Sequence, residues 1–246
     1  MAGMGASMRR IGLLGGMSWE STALYYRLLN EEVRERLGGF HSARLVLASV
    51  DFAGVEAMQS AGGWAAAGAL LAEEARAVQA AGAECLVLCT NTMHTVADVV
   101  QAAIDVPLLH LADVTADAVR GAGIERVALL GTRFTMEQPF YADRLRSHCV
   151  EVLVPDGEDR ALVHDVIYDE LVLGVVREES RAAYVEVVRR IAERGAGGVV
   201  LGCTEIELLL GPDDVDLPVF ATTALHVQAA VDFALSPAPA RASGRR

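Results

Sequence analysis

The segments AGAECLVLCTNT, residues 81–92, and RGAGGVVLGCTE, residues 194–205, decide the fold. In each, a Gly-Ala pair leads into a short apolar run, and the run ends in a cluster of small polar residues. A short apolar run of this kind predicts a buried strand of a parallel sheet, and the polar cluster predicts the turn that follows it. Because the pattern occurs twice, we predict two copies of one structural unit.

The rest of the chain repeats in the same order. IGLLG at 11–15 is echoed by VALLG at 127–131, and PLL at 107–109 is echoed by PVF at 218–220. Short apolar runs alternate with longer helical patterns, and the runs lie at 11–14, 45–50, 85–88, 107–111, 127–130, 150–154, 199–201 and 217–220. We therefore predict an α/β fold of two pseudo-symmetric domains, each a four-stranded parallel sheet flanked by helices.

The repeat also sets the expected domain boundaries. Residues 9–112 together with 220–235 are predicted to form the first domain, and residues 113–219 the second. The segments 1–8 and 236–246 are rich in small residues and are predicted to be flexible tails. Ligands of parallel sheets bind beyond the carboxyl ends of the strands, so we expect the active site in the cleft between the domains.

Composition excludes several classes of function. The 21 basic residues are all arginine, and 33 acidic residues give a formal net charge of -12. This charge argues against a nucleic acid or an anionic membrane as partner and favours a small molecule. The absence of lysine excludes a Schiff base to pyridoxal phosphate and a P-loop lysine. We expect no cofactor.

Cysteine usage and hydropathy indicate where the protein works. Four cysteines in 246 residues do not make a disulfide framework, and no sequence pattern resembles a signal peptide. No apolar stretch reaches the roughly 18 residues that a membrane span needs. Cys85 and Cys89 have no histidine at ligand spacing, so we predict no metal site. A cytoplasmic location is expected.

Three polar clusters follow predicted strands: GGMSWES at 15–21, CTNTMH at 89–94 and GCTE at 202–205. Hydroxyl and amide side chains beside free backbone amides suit an α-carboxylate, and a thiol beside a helix N-terminus has its thiolate stabilised. Glu205 is a candidate for binding an ammonium group. Cys203 lies between a glycine and a threonine at the matching end of a repeated strand, so we favour it as the reactive thiol.

In these three clusters the sequence resembles the aspartate/glutamate racemase family of cofactor-independent amino-acid racemases, and the resemblance covers nearly all of residues 9–235. It implies two α/β domains, usually in a homodimer, with one thiol from each domain on either side of the substrate Cα. One group removes the α-proton and the other returns a proton to the opposite face. The implied activity is racemisation of aspartate or glutamate without pyridoxal phosphate.

The internal repeat exposes a departure from the family pattern. Aligning the two Gly-Ala pairs matches Thr90 with Cys203 and Cys89 with Gly202. Successive residues leaving a strand point to opposite sides, so Cys89 should face the core if Thr90 faces the cleft. Family members with two catalytic thiols carry the first directly before Asn-Thr, where this chain has threonine.

A threonine hydroxyl does not ionise near neutral pH, whereas a thiol can be tuned to do so. We therefore predict that Cys203 as thiolate abstracts the α-proton and that Thr90, alone or through a bound water, delivers a proton to the other face. Cys89 is the less favoured alternative for the active thiol. By resemblance to the subgroup that carries this threonine, we expect the L enantiomer to be favoured.

Motif correspondence with the family implies the substrate-binding residues. Asn91, Thr92 and Thr204 are expected at the α-carboxylate. The full implied set is Met17, Ser18, Gln59, Asn91, Thr92, Thr132, Arg133, Thr204 and Glu205.

A side-chain carboxylate needs a cation or several hydrogen-bond donors. Some aspartate racemases carry a lysine in the helix that corresponds to residues 167–174, and this segment has none. Gln59 and Arg133 are therefore the candidates for this contact, and the choice between aspartate, glutamate and broader specificity stays open.

Two other functions also stay open. Related thiol enzymes of the same fold act on hydantoins, malonates or maleate, although Glu205 and the Asn-Thr pair favour a free amino acid. Loss of one thiol could instead leave an amino-acid-binding protein without turnover.

Overall fold

The computed structural model describes residues 8–237. Of the predicted flexible tails, residues 1–7 and 238–246 lie outside the described residues. The strands are β1 (Ile11–Gly15), β2 (Leu45–Ser49), β3 (Cys85–Leu88), β4 (Arg126–Gly131), β5 (Glu151–Leu153), β6 (Val199–Gly202) and β7 (Val219–Ala221). The helices are α1 (Trp19–Leu37), α2 (Phe52–Ser60), α3 (Trp64–Ala80), α4 (Ala97–Gln101), α5 (Leu111–Gly121), α6 (Arg133–Glu137), α7 (Pro139–Ser147), α8 (Gly157–Asp169), α9 (Glu178–Glu193), α10 (Ile206–Leu209) and α11 (Thr222–Leu235). Short 3₁₀ helices span Thr92–Val96 and Leu171–Leu173.

The strands form two parallel sheets, with orders β2-β1-β3 and β5-β4-β6-β7. Helices flank both sheets, so the predicted α/β fold of two similar units is confirmed. The second sheet has the four strands that the sequence predicts.

The first sheet has three strands rather than the predicted four. At the place of the fourth, Leu108 makes one isolated parallel bridge to Leu86. Pro107 has no N–H to donate, the carbonyl of Leu109 accepts from Nε2 of His226 at 2.7 Å, and the N–H of Leu111 donates to Nε2 of His94 at 3.3 Å. The pairing is therefore limited to the two bonds between Leu86 and its neighbours, from Leu86 N to Pro107 O and from Leu109 N to Leu86 O.

Strands β6 and β3 each divide their side chains between two apolar cores. In β6, Val199 and Leu201 pack with α8 and α9, whereas Val200 packs towards α5 and α7. In β3, Leu86 and Leu88 pack with α3. The alternate residues of β3 face α1 and α11, as the two-residue period of a strand requires.

The turn after β1 brings two backbones close together. Gly16 has φ +90, a conformation that side chains rarely adopt. A Cβ at this position would lie 2.2 Å from the carbonyl oxygen of Val50. Glycine is therefore required here, and α1 can begin directly beyond the sheet, with Ser18 capping it through the N–H of Ser21 at 3.2 Å.

Candidate active site

A cavity of about 110 Å³ lies where the central strands of both sheets end. Its walls come from the segments that follow β1, β3, β4 and β6, and from α2 and α8. The predicted residues that line it are Met17, Ser18, Gln59, Thr90, Asn91, Thr92, Thr132, Cys203, Thr204 and Glu205. The two halves of the chain therefore contribute to one small-molecule site, of the kind expected beyond the carboxyl ends of parallel strands.

Thr90 and Cys203 occupy equivalent places in the two units. Leu88 pairs with Leu14 in the first sheet and Leu201 pairs with Leu130 in the second, so Thr90 and Cys203 each lie two residues beyond the matching strand residue. Both line the cavity, with 8% and 9% of their surfaces exposed. Cys89 is fully buried among the residues that face α1 and α11, and it is not part of the lining. Burial raises the pKa of its thiol. Two of these three side chains therefore reach the cavity, one from each unit.

The Cys203 thiol is paired with a carboxylate. Its Sγ donates to Oε2 of Glu205 at 2.9 Å, and the hydroxyl of Ser21 donates to Oε1 of the same carboxylate at 3.2 Å. Burial raises the pKa of the Cys203 thiol well above its ordinary value, and the negative charge of Glu205 adds to this effect. This differs from the expectation of a thiolate stabilised by a helix N-terminus, because the nearby carboxylate favours the protonated thiol.

The orientation of the Asn91 amide is fixed by Thr222, the first residue of α11. The Thr222 hydroxyl has one proton, which it donates to the carbonyl of Leu201 at 2.8 Å. Thr222 can therefore only accept from Asn91, whose Nδ2 lies 3.3 Å away. The amide oxygen of Asn91 is buried, and it has no hydrogen-bond partner in the described part of the chain. Since an unpaired buried acceptor costs about 1–3 kcal/mol, this oxygen is poised to accept from a bound donor.

Gln59 and Tyr168 come from helices and not from strand ends. Gln59 in α2 is 6% exposed, and Tyr168 in α8 is partly exposed at the cavity wall. Burial raises the pKa of Tyr168, nearby acidic groups raise it further, and a hydrogen bond with Gln59 opposes them. The two side chains therefore form one polar contact on the cavity wall.

Arg133 does not belong to the cavity. It is exposed at the start of α6, and its backbone N–H donates to Nδ1 of His164 at 3.3 Å. Arg133 is therefore not among the lining residues, and its expected contact with the substrate side chain stays a prediction. Thr132, one residue earlier, caps α6 through the N–H of Thr135 and does line the cavity.

Sequence reasoning missed several lining residues. Among them, Tyr168 carries a polar group and lies outside the sequence motifs. It belongs to α8, and the signal in that segment is the absence of the lysine that some aspartate racemases carry there. The additional lining residues are Ser21, Phe52, Met93, Ile167, Tyr168, Val172 and Gly202.

His94 lies behind Thr90 and holds the turn that carries it. Its Nδ1 donates to the carbonyl of Thr90 at 2.8 Å, and its Nε2 accepts from the backbone N–H of Leu111 at 3.3 Å. His226 donates through Nε2 to the carbonyl of Leu109 at 2.7 Å, and its Nδ1 accepts from the Tyr25 hydroxyl at 3.0 Å. Burial lowers the pKa of each histidine to about 3, which matches the neutral forms that these bonds require.

Within residues 8–237, no group of three or more His, Cys, Asp and Glu side chains is placed to hold a metal ion. In the same part of the chain, no helix combines the length and the apolar character needed to cross a membrane.

Two similar parallel α/β units with a small-molecule site between their strand ends define the class of this protein. The family model of Asp/Glu/Hydantoin racemase matches residues 14–230. The chain therefore belongs to the Asp/Glu/Hydantoin racemase family.

Solved structures agree with this assignment. A Yersinia pestis protein assigned to the Asp/Glu racemases is 50% identical, with 93% of this chain and 100% of that chain covered and a TM-score of 0.89. An aspartate racemase homologue from Pyrococcus horikoshii is 33% identical, with 93% and 100% covered and a TM-score of 0.85. The aspartate racemase of Picrophilus torridus, 18% identical with 92% and 94% covered and a TM-score of 0.74, shares the fold.

Proposed function

We propose that this protein racemises an acidic amino acid, aspartate or glutamate, without pyridoxal phosphate. The observation that carries the proposal is the placement of Cys203 and Thr90 at equivalent strand ends of the two units, both lining one cavity. Racemisation needs a proton acceptor on one face of Cα and a proton donor on the other. A thiol and a hydroxyl contributed by the two halves of the chain meet this need.

The first step is activation of the thiol. Cys203 passes its proton to Glu205, whose Oε2 already accepts it as a hydrogen bond at 2.9 Å. The resulting thiolate takes the α-proton of the L enantiomer, and the electron pair of the broken C–H bond stays on Cα and its carboxylate. Exclusion of water strengthens every electrostatic interaction around this carbanion.

The second step is reprotonation from the other unit. The Thr90 hydroxyl gives its proton to the opposite face of Cα and recovers one from a bound water, because a threonine alkoxide is too basic to persist. The hydroxide left behind takes the proton that Glu205 received from Cys203, and Cys203 keeps the α-proton, so every group returns to its starting form. The N–H groups and hydroxyls of Thr92 and Thr204 hold the α-carboxylate. The unpaired Oδ1 of Asn91 accepts from the substrate ammonium, which revises the expected carboxylate contact of this side chain.

The proposed enzyme has residues 9–112 and 220–235 as one domain and 113–219 as the other, in a homodimer. The return of the chain to the first domain is supported by α11, since Val227 and Val231 pack in the same core as Tyr25 and Leu29 of α1.

The assignment of the thiol is tested by two cysteine substitutions. We expect Cys203→Ala to abolish racemisation of aspartate and glutamate and Cys89→Ala to keep most of it, because only Cys203 reaches the cavity. Chiral chromatography of each reaction measures the product, and circular dichroism checks folding. The reverse pattern would move the active thiol to Cys89. An active site that binds amino acids without turning any over would indicate a binding protein.

A further inference from the structure

The charges around the cavity are one-sided. Within residues 8–237, no arginine or histidine side chain is among the lining residues, and the chain has no lysine. Glu205 is the carboxylate of the lining. An aspartate zwitterion carries a net charge of -1 and an asparagine zwitterion carries none. The cavity therefore holds no cation that would favour a side-chain carboxylate over its amide.

Neutral donors take the place of the missing cation on the wall formed by α2 and α8. Tyr168 contributes a phenol O–H and Gln59 contributes an amide N–H, and both side chains line the cavity. Gln59 is buried, and its amide has a second N–H as well as an acceptor oxygen. The pair thus offers donors to any oxygen that reaches it.

We propose that the Tyr168 hydroxyl and the Gln59 amide form a neutral subsite for the side-chain end of the substrate, so that the enzyme accepts asparagine and glutamine as well as the corresponding acids. This inference rests on the proposed racemase function and names its substrate class as small amino acids with a terminal oxygen acceptor. A carboxylate and a primary amide both present such an oxygen, and Gln59 can also accept from an amide N–H.

The size of the discrimination between acid and amide separates this subsite from one built on a cation. A site that loses an obligatory polar partner rejects the analogue by about 10⁴–10⁵-fold. Neutral donors keep their partner in both substrates, so we expect kcat/KM for L-asparagine within about tenfold of that for L-aspartate. A preference for L-aspartate above 1000-fold would overturn the proposal.

Removal of the phenol hydroxyl tests whether Tyr168 reads the side chain. We expect Tyr168→Phe to lower kcat/KM for both L-aspartate and L-asparagine by about tenfold and to leave that for L-alanine, which has no terminal oxygen, unchanged. Tyr26→Phe, at a residue 53% exposed and outside the cavity, is the matched control and should change none of the three. An equal loss for L-alanine would show a merely structural role and overturn the assignment.

A charge placed at Gln59 gives the opposite test with nearly the same shape. We expect Gln59→Glu to lower kcat/KM for L-aspartate at least tenfold more than for L-asparagine, because only aspartate brings a second carboxylate to this wall. Equal losses would contradict the subsite.

Isothermal titration calorimetry with the same three amino acids keeps the two proposals apart. If none is racemised, the proposed function fails, and the acid-to-amide ratios of the dissociation constants decide the subsite by the same limits. Absence of binding by all three would overturn both.

Discussion

The orientation of the Asn91 amide decides which of its polar atoms is presented to the cavity. The Thr222 hydroxyl donates its one proton to the carbonyl of Leu201. Asn91 must therefore turn Nδ2 towards the Thr222 oxygen, which leaves Oδ1 unpaired among the described residues. The sequence motif predicts that Asn91 touches the substrate, but it cannot predict which end of the amide does so. That choice is made by a residue 131 positions away, which no local pattern relates to Asn91.

Two substitutions of Asn91 distinguish an ammonium contact from a carboxylate contact. Aspartate keeps an acceptor oxygen, whereas leucine removes both polar ends. We expect Asn91→Asp to raise KM for L-aspartate by less than about tenfold and Asn91→Leu to raise it by more than about 100-fold, as the loss of a charge-assisted bond of about 1.5–3 kcal/mol implies. Steady-state kinetics measures both. A larger defect in Asn91→Asp than in Asn91→Leu would instead place a carboxylate against this residue.

Among the strands, the two-residue period of side-chain direction is the pattern that best predicts which residues face the cavity. It places Cys89 and Thr90 on opposite sides of the segment leaving β3, and the register of the repeat pairs Thr90 with Cys203. Both placements follow from local geometry and could be read from the sequence.

The first sheet shows where the same reasoning stops. The apolar run at 107–111 predicts a strand, but Pro107 lacks a donor, His226 takes the carbonyl of Leu109, and His94 takes the N–H of Leu111. Two histidine side chains from outside the run therefore limit the ladder to one bridge, and an apolar pattern does not record such competition. Site residues that lie on helices were also hard to predict from the sequence. Arg133 follows a lining residue in sequence yet faces solvent, while Tyr168 reaches the cavity from a helix that carries no motif.

Across the whole molecule, buried histidines link the two halves of the chain. The rings of His94 and His226 lie 5.9 Å apart, and His94 lies 4.7 Å from His110, which caps α5 through the N–H of Ala112. Burial lowers the pKa of His110 to about 4. Each ring donates or accepts as a neutral group, so protonation of any of them removes an acceptor that a backbone N–H or a hydroxyl uses.

This network predicts loss of stability in acid. The ordinary histidine pKa is 6.5, and the folded values of His94 and His226 are about 3, so the unfolded chain binds more protons between these limits. Stability is present above pH 6.5 and falls as the pH drops towards 3, by up to about 1.4 kcal/mol per pH unit for each histidine. Urea unfolding at pH 7, 6, 5 and 4 measures the slope.

The pKa of Glu207 changes the pH dependence of stability in the direction opposite to the histidines, so this residue supplies a control. Its carboxylate accepts from the N–H of Thr223 at 2.9 Å, and burial raises its pKa to about 7 from an ordinary 4.5. The folded chain therefore binds the extra proton, and this group adds stability as the pH falls from 7 to 4.5. We expect Glu207→Gln to steepen the acid loss over that range and His94→Gln to flatten it between pH 6.5 and 3. A slope unchanged in both variants would contradict the assignment.

The proposed roles of Cys203 and Thr90 are tested most directly by exchange of the α-proton in D₂O. Proton NMR monitors the exchange from L-aspartate and from D-aspartate in separate reactions, before racemisation is appreciable. Because the two enantiomers are equal in free energy, kcat/KM for racemisation must be the same in both directions, and only exchange without inversion reports each face alone. With Cys203 serving the L enantiomer and Thr90 the D enantiomer, we predict exchange from L-aspartate at least about tenfold faster. Equal exchange rates from the two enantiomers would contradict the assignment of a thiol to one face and a hydroxyl to the other.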